Sequence, residues 1–429
     1  MRVSIVLMLE IVYVSLHMHG CDDGDKSVDH YMKGPRYRRD LPLAETSDPS
    51  NVKHGSLKAN PVMAQKFTSC TGSGLGMYSW NHISWKTANA KMIRFLMERR
   101  DFACGDVYIN VSDFSSPDSI PSPVNVISFI RNVRATGNRG VVYLTYGDIN
   151  VNANGVLDGP ARFARTFFDW FNSVPQQTLD EILPIGLSFD CEHVDLATIR
   201  SALTVAQNLK SSVLNSKLGN DPSKVVVQWV VEGALSPANT DTIMRLADSA
   251  IIMVYRNHEG SSPVIDPTGV DTLSTRFLDY MMTRQCEHCL DDVYAAEHYK
   301  AKIRLMIESD CECRDNCRKT SFCAFDTRQP GWGNNFANPV EYLTTTLSNT
   351  KRTLQARLTE VQQERLFGHR LTDDPADLSL FVVHNWEWFN CYFGDQSARD
   401  ADWDPEAGGQ NVSCKDYHTL ANVCRERRQ

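Results

Sequence analysis

The run Leu187-Ser188-Phe189-Asp190-Cys191-Glu192 brings two carboxyl groups to the end of a short apolar stretch. If the stretch is a strand, side chains alternate. Ser188, Asp190 and Glu192 then share one face, and Phe189 and Cys191 share the other. Two acids that close influence each other's protonation. One stays ionised, and its charge raises the other towards the neutral form that a general acid needs. The same residues could instead form a salt-bridge ledge at a rim.

Other apolar runs end in the same kind of residue. Reading each end gives Trp80, then Asn110 with Asp113, Tyr146 with Asp148, and Glu232. Further along come Tyr255 with Arg256, Glu308 with Asp310, and Trp386, Glu387 and Trp388. Acids at the tips of buried strands are costly to desolvate unless they line a wet cleft. Asp148 and Asp310 read equally well as caps or loop anchors.

The elements that must position these groups follow one another regularly. Strand patterns fall at 76–81, 107–111, 140–146, 185–190, 225–231, 250–255, 302–307 and 378–385. Helical patterns occupy 91–100, 124–135, 161–172, 197–210, 240–247, 272–283 and 340–366. Strict alternation predicts a parallel sheet, and eight such units suit a closed (β/α)8 TIM barrel, whose active sites lie where strands run into their following loops. An open doubly wound sheet would carry a glycine-rich turn after its first strand. Here Gly72-Ser73-Gly74-Leu75-Gly76 precedes that strand instead.

An apolar strand four ending in Asp-x-Glu resembles that of family 18 glycoside hydrolases, the chitinases and endo-N-acetylglucosaminidases, whose fuller motif is Asp-x-x-Asp-x-Asp-x-Glu. Met253-Val254-Tyr255 is similar to the family's Met-x-Tyr, and Trp386 matches an aromatic floor under the reacting sugar. Ile185 and Ser188 stand where the first two aspartates belong, and Arg256 replaces an acid. The resemblance implies that Glu192 protonates the leaving oxygen while Asp190 and Tyr255 hold an N-acetyl group that acts as internal nucleophile. Glu308 at the end of strand seven offers a second route. Acids ending strands four and seven resemble the large clan of retaining barrel glycosidases, with Glu192 as acid/base and Glu308 as nucleophile. Trp80, Tyr146, Trp386, Glu232 and Arg256 complete the expected substrate-binding set, with Tyr255. A barrel that binds carbohydrate without turnover, and one that hydrolyses a non-sugar substrate, use the same residues.

The 429 residues, 42% of them hydrophobic, suffice for a large core. A formal charge of −8 argues against nucleic acid as partner. Arg2 and the apolar stretch 3–16 read as a signal segment within residues 1–20, despite Glu10, and imply secretion. Residues 21–65 lack hydrophobic period and read as disordered or as a pro-segment, with Arg36-Tyr37-Arg38-Arg39 as either a convertase site or a solvated charge cluster. Residues 66–429 form the barrel domain, and no later run is long enough for a membrane helix.

Thirteen cysteines fit an oxidising compartment. Those at 286, 289, 311, 313, 317 and 323 predict a disulfide-rich insertion around strand seven, and Cys391, Cys414 and Cys424 fall in a cysteine-containing tail. The insertion could ligate zinc, but export favours disulfides, so neither metal nor cofactor is expected. Cys191, facing the helices, should remain a free thiol. The triplets Asn110-Val111-Ser112 and Asn411-Val412-Ser413 are possible glycan acceptors.

Overall fold

The computed structural model describes residues 74–79, 85–148, 151, 157–231, 237–253, 258–259, 262–263, 300–307, 311–314, 319–323, 347–384, 386 and 389. Eight parallel strands close into a barrel. They are β1 (Gly76–Ser79), β2 (Val107–Asp113), β3 (Val142–Asp148), β4 (Ile185–Cys191), β5 (Val225–Val231), β6 (Ser249–Met253), β7 (Lys302–Ile307) and β8 (Phe381–Val383). Around the sheet each strand hydrogen-bonds its sequence neighbours, and β8 returns to β1 through Gly76↔Val382 and Met77↔Val383. The expected (β/α)8 architecture is the observed one.

The helices between them are α1 (Trp85–Glu98), α2 (Pro123–Ala135), α3 (Gly159–Ser173), α4 (Gln176–Ile182), α5 (Leu196–Lys217), α6 (Pro237–Leu246), α7 (Ser348–Arg357) and α8 (Glu360–Phe367). The pattern at 340–366 reads as one helix, but the chain breaks it at Leu358. Thr359 starts α8 with a capping box, its side chain taking the Gln362 N–H while Gln362 returns to the Thr359 N–H. Two short antiparallel ribbons pair Cys311–Arg314 with Lys319–Cys323 and His258–Glu259 with Ser262–Pro263. The pattern at 272–283 and the tail cysteines lie outside the described residues, as do the leader and residues 21–65. Among the described residues no helix is long and apolar enough to cross a membrane.

Strand alternation divides the core in two. Outward residues such as Ile109, Leu144, Leu187, Phe189 and Ile252 join the helices in one large cluster. Inward residues form a second, with Tyr78, Tyr108, Tyr143, Val230, Ile251, Met253, Met306 and Val382. Three of its rings stack in parallel, Tyr78 on Tyr108 at 5.6 Å and Tyr108 on Tyr143 at 4.6 Å between centroids. Gly186 makes room for this stack. A Cβ there would lie 2.3 Å from the Tyr143 ring, closer than packed atoms tolerate.

Candidate active site

The strand-four acids sit where alternation puts them. Leu187, Phe189 and Cys191 belong to the outer cluster, so Ser188 and Asp190 face the barrel interior. The parallel ladder continues one residue past β4, since the Glu192 N–H donates to the Asp148 carbonyl at 2.9 Å. Glu192 therefore follows Asp190 onto the inner face. Asp190 is fully buried and Glu192 is 6% exposed. His193 then takes a left-handed turn, φ 52°, a conformation histidine adopts more readily than most side chains, and the chain leaves for α5. Asp195 caps that helix by accepting the Thr198 N–H at 2.7 Å, an interaction that holds its carboxyl below the usual range.

Acidic groups gather around the end of β4. Cys191 is a free, buried thiol, and its pKa is pushed well up by burial and then by Asp148, Asp190 and Glu192 together. Asp190 also acts on Tyr78, whose hydroxyl pKa is raised first by burial and next by that carboxylate. Beneath the acids lies a rung of polar side chains in register across four strands, Asn110↔Thr145↔Ser188↔Gln228. Ser188 donates to the Gln228 side-chain carbonyl at 3.1 Å. The Gln228 amide donates in turn to Tyr108 at 3.3 Å and Ser249 at 3.1 Å. Ser188, standing in place of a motif aspartate, thus joins a neutral network. Ile185 lies in the outer cluster, away from the site.

Two expected contacts are corrected. Tyr146 is expected at a strand end facing substrate, but β3 runs on to Asp148 and Tyr146 faces outward. Its ring stacks on Phe163 of α3 at 5.4 Å, with no exposed surface. Trp386 is likewise fully buried, edge-on to Phe95 of α1 at 6.0 Å, so it offers no free face to a sugar. Asp113 is committed to the turn after β2, accepting from the Ser115 N–H at 2.9 Å and the Ser115 hydroxyl at 2.5 Å. Trp80, Glu232, Tyr255, Arg256 and Glu308 fall outside the described residues. Among the described residues no cluster of His, Cys, Asp or Glu could hold a metal ion.

The polar rung and the tyrosine stack lie below the rim, and strand ends alone do not reveal them. Their signal was available one turn of the pleat lower. Tyr108 and Asn110 on β2, and Tyr143 and Thr145 on β3, share the inward parity.

Fold and site thus define a (β/α)8 barrel with a buried acid pair on the inner edge of its fourth strand. No protein-family model and no curated protein matches the sequence. Among solved structures the chain is similar to a family 18 chitinase from Cycas revoluta, captured in complex with allosamidin. Identity there is 10% over 83% of this chain and 99% of the chitinase, with a TM-score of 0.39. It is also similar to a xylanase and α-amylase inhibitor protein from Scadoxus multiflorus, at 11% identity over 74% and 95% of the two chains and a TM-score of 0.39. A third is the Bacillus cereus spore cortex-lytic enzyme SleL, at 16% identity and a TM-score of 0.36. That match takes in 55% of this chain and only half of the SleL length.

Proposed function

We propose that the chain is a secreted glycoside hydrolase that cleaves a glycan containing N-acetylhexosamine, with Glu192 as general acid. The observation that carries this reading is the burial of Asp190 and Glu192 side by side on the inner face at the end of β4. Burying two acids together is costly, and function is the usual reason for keeping them. Glu192 protonates the glycosidic oxygen as its bond to the anomeric carbon breaks. Asp190, beside Tyr78, orients the acetamido N–H so that the acetamido oxygen bonds to that carbon as the alcohol leaves. Water then opens the resulting ring, and its proton returns to Glu192. This substrate-assisted route is one of the exceptions to the two-carboxylate scheme, and it needs no second acid to act as nucleophile.

Export goes with the same reading. Residues 1–20 act as signal peptide, and residues 21–65 are removed or remain as a polar leader. The cysteines from Cys286 to Cys323 bridge the insertion around β7 among themselves. Cys104, at the foot of β2, is already seen to be disulfide-bonded.

The deciding experiment is Glu192→Gln assayed on soluble N-acetylglucosamine oligomers. Turnover should fall at least ~10²-fold while binding survives. Hydrolysis unchanged by the substitution would end the mechanism. A second reading, a carbohydrate-binding barrel without turnover, draws on Ser188 and Ile185 standing where the motif has acids. Binding by the wild-type protein with no hydrolysis at any pH would select it.

A further inference from the structure

We propose that Asn110 is a ligand-reading group of the barrel interior and not an attachment point for N-linked sugar; the inference rests on the carbohydrate reading of the mouth. In sequence, Asn110-Val111-Ser112 has the form of a glycan acceptor. In the fold it lies within β2, not on a surface loop. Ile109 and Val111 belong to the outer cluster and Tyr108 to the inner one, so Asn110 faces inward. Ser112 is fully buried, and its hydroxyl donates to the Ser116 carbonyl at 2.7 Å. A sugar on the Asn110 nitrogen would have to share the interior with Thr145 and Ser188, its neighbours in register.

The inward rung shows what Asn110 is for. Ser188 and Gln228 satisfy each other, and Gln228 reaches on to Tyr108 and Ser249. The Asn110 side-chain carbonyl is buried and accepts no hydrogen bond from the protein. Such an acceptor is stable only if some donor meets it. Two further features direct it towards the ligand. The β2–β3 register shifts between Asn110 and Ser112, a bulge of the kind that re-aims side chains beside active sites. One rung higher, β3 contributes Gly147, paired with Asp190, and so no side chain stands there between Asn110 and the acid. The donor that fits is a sugar hydroxyl or an acetamido N–H.

The test measures binding of the N-acetylglucosamine tetramer by titration calorimetry, with unfolding midpoints as the control for folding. Asn110→Ala should weaken binding about fivefold, the usual effect of one lost neutral hydrogen bond. Asn110→Ser, whose oxygen is drawn back by one atom, serves in place of the alanine variant should that fail to fold. Peptide mapping of protein secreted from a eukaryotic host should find Asn110 unmodified. A glycan on Asn110, or tetramer binding equal in wild type and Asn110→Ala, overturns this inference alone. Failure of the wild-type protein to bind the tetramer overturns the carbohydrate reading and this one with it.

Discussion

The two ends of the barrel hold different sets of charged groups. At the base, Asp106 precedes β2 and faces Arg304 of β7, whose positive charge pulls the Asp106 pKa down against the larger upward push of burial. Asp106 also accepts the Val141 N–H at 2.8 Å, and Arg304 donates to the Phe367 carbonyl at 2.9 Å. Nearby, Lys210 reaches Asp248 at 2.9 Å. At the mouth, Asp148, Asp190 and Glu192 all raise the Cys191 thiol. Paired charge of this kind holds a fold together, whereas acids gathered at a strand end mark a candidate functional site.

Substitutions can break this contrast. Arg304→Met leaves the Asp106 carboxylate facing an apolar side chain and should cost about 3 kcal/mol in urea unfolding. A loss under ~1 kcal/mol would mean that the base is no more dependent on its charges than an exposed surface pair. Gly186→Ala, which sets a methyl group against the Tyr143 ring, tests the interior between the two ends and should cost about 2 kcal/mol. At the mouth the effect should fall on activity. Asp190→Asn should lower turnover of the oligomers while costing less stability than Arg304→Met, the pattern expected of an acid kept for activity. A clear destabilisation would show Asp190 to be a structural acid.

The smallest effect is a pH slope. Because the Asp106 pKa is raised in the fold, the native state holds that proton more tightly than the unfolded chain does. Stability from this group is therefore full below the unfolded value near 3.8 and declines as pH rises through the folded pKa. Asp106→Asn should flatten that part of the stability profile, as followed by urea midpoints at successive pH values.

The barrel was legible in the sequence because strand and helix periods alternate without a gap, and the β4 parity was legible because Phe189 and Cys191 separate the polar residues. Tyr146 was not. Tyr143 and Tyr146 lie an odd number of residues apart, so one must face inward and the other outward, and composition does not say which. The ladder decides it, since Tyr143 meets Gly186 and Tyr146 meets Phe189. Trp386 lies beyond β8, where strand parity no longer applies. The break at Leu358 was hidden because Leu354, Leu358 and Leu366 keep an apolar stripe across it, and only the Thr359 cap marks the new start.

The seam between β1 and β8 also has a consequence in time. Residues at 76–77 are partnered by residues at 382–383, so the barrel cannot close until the last strand has been made. At a synthesis rate of ~5–20 residues per second, the roughly 300 intervening residues take on the order of 15–60 s. For that interval β1 has β2 on one side and nothing on the other. It is also short, only Gly76–Ser79, which limits how well a stray strand could pair with it while the chain waits.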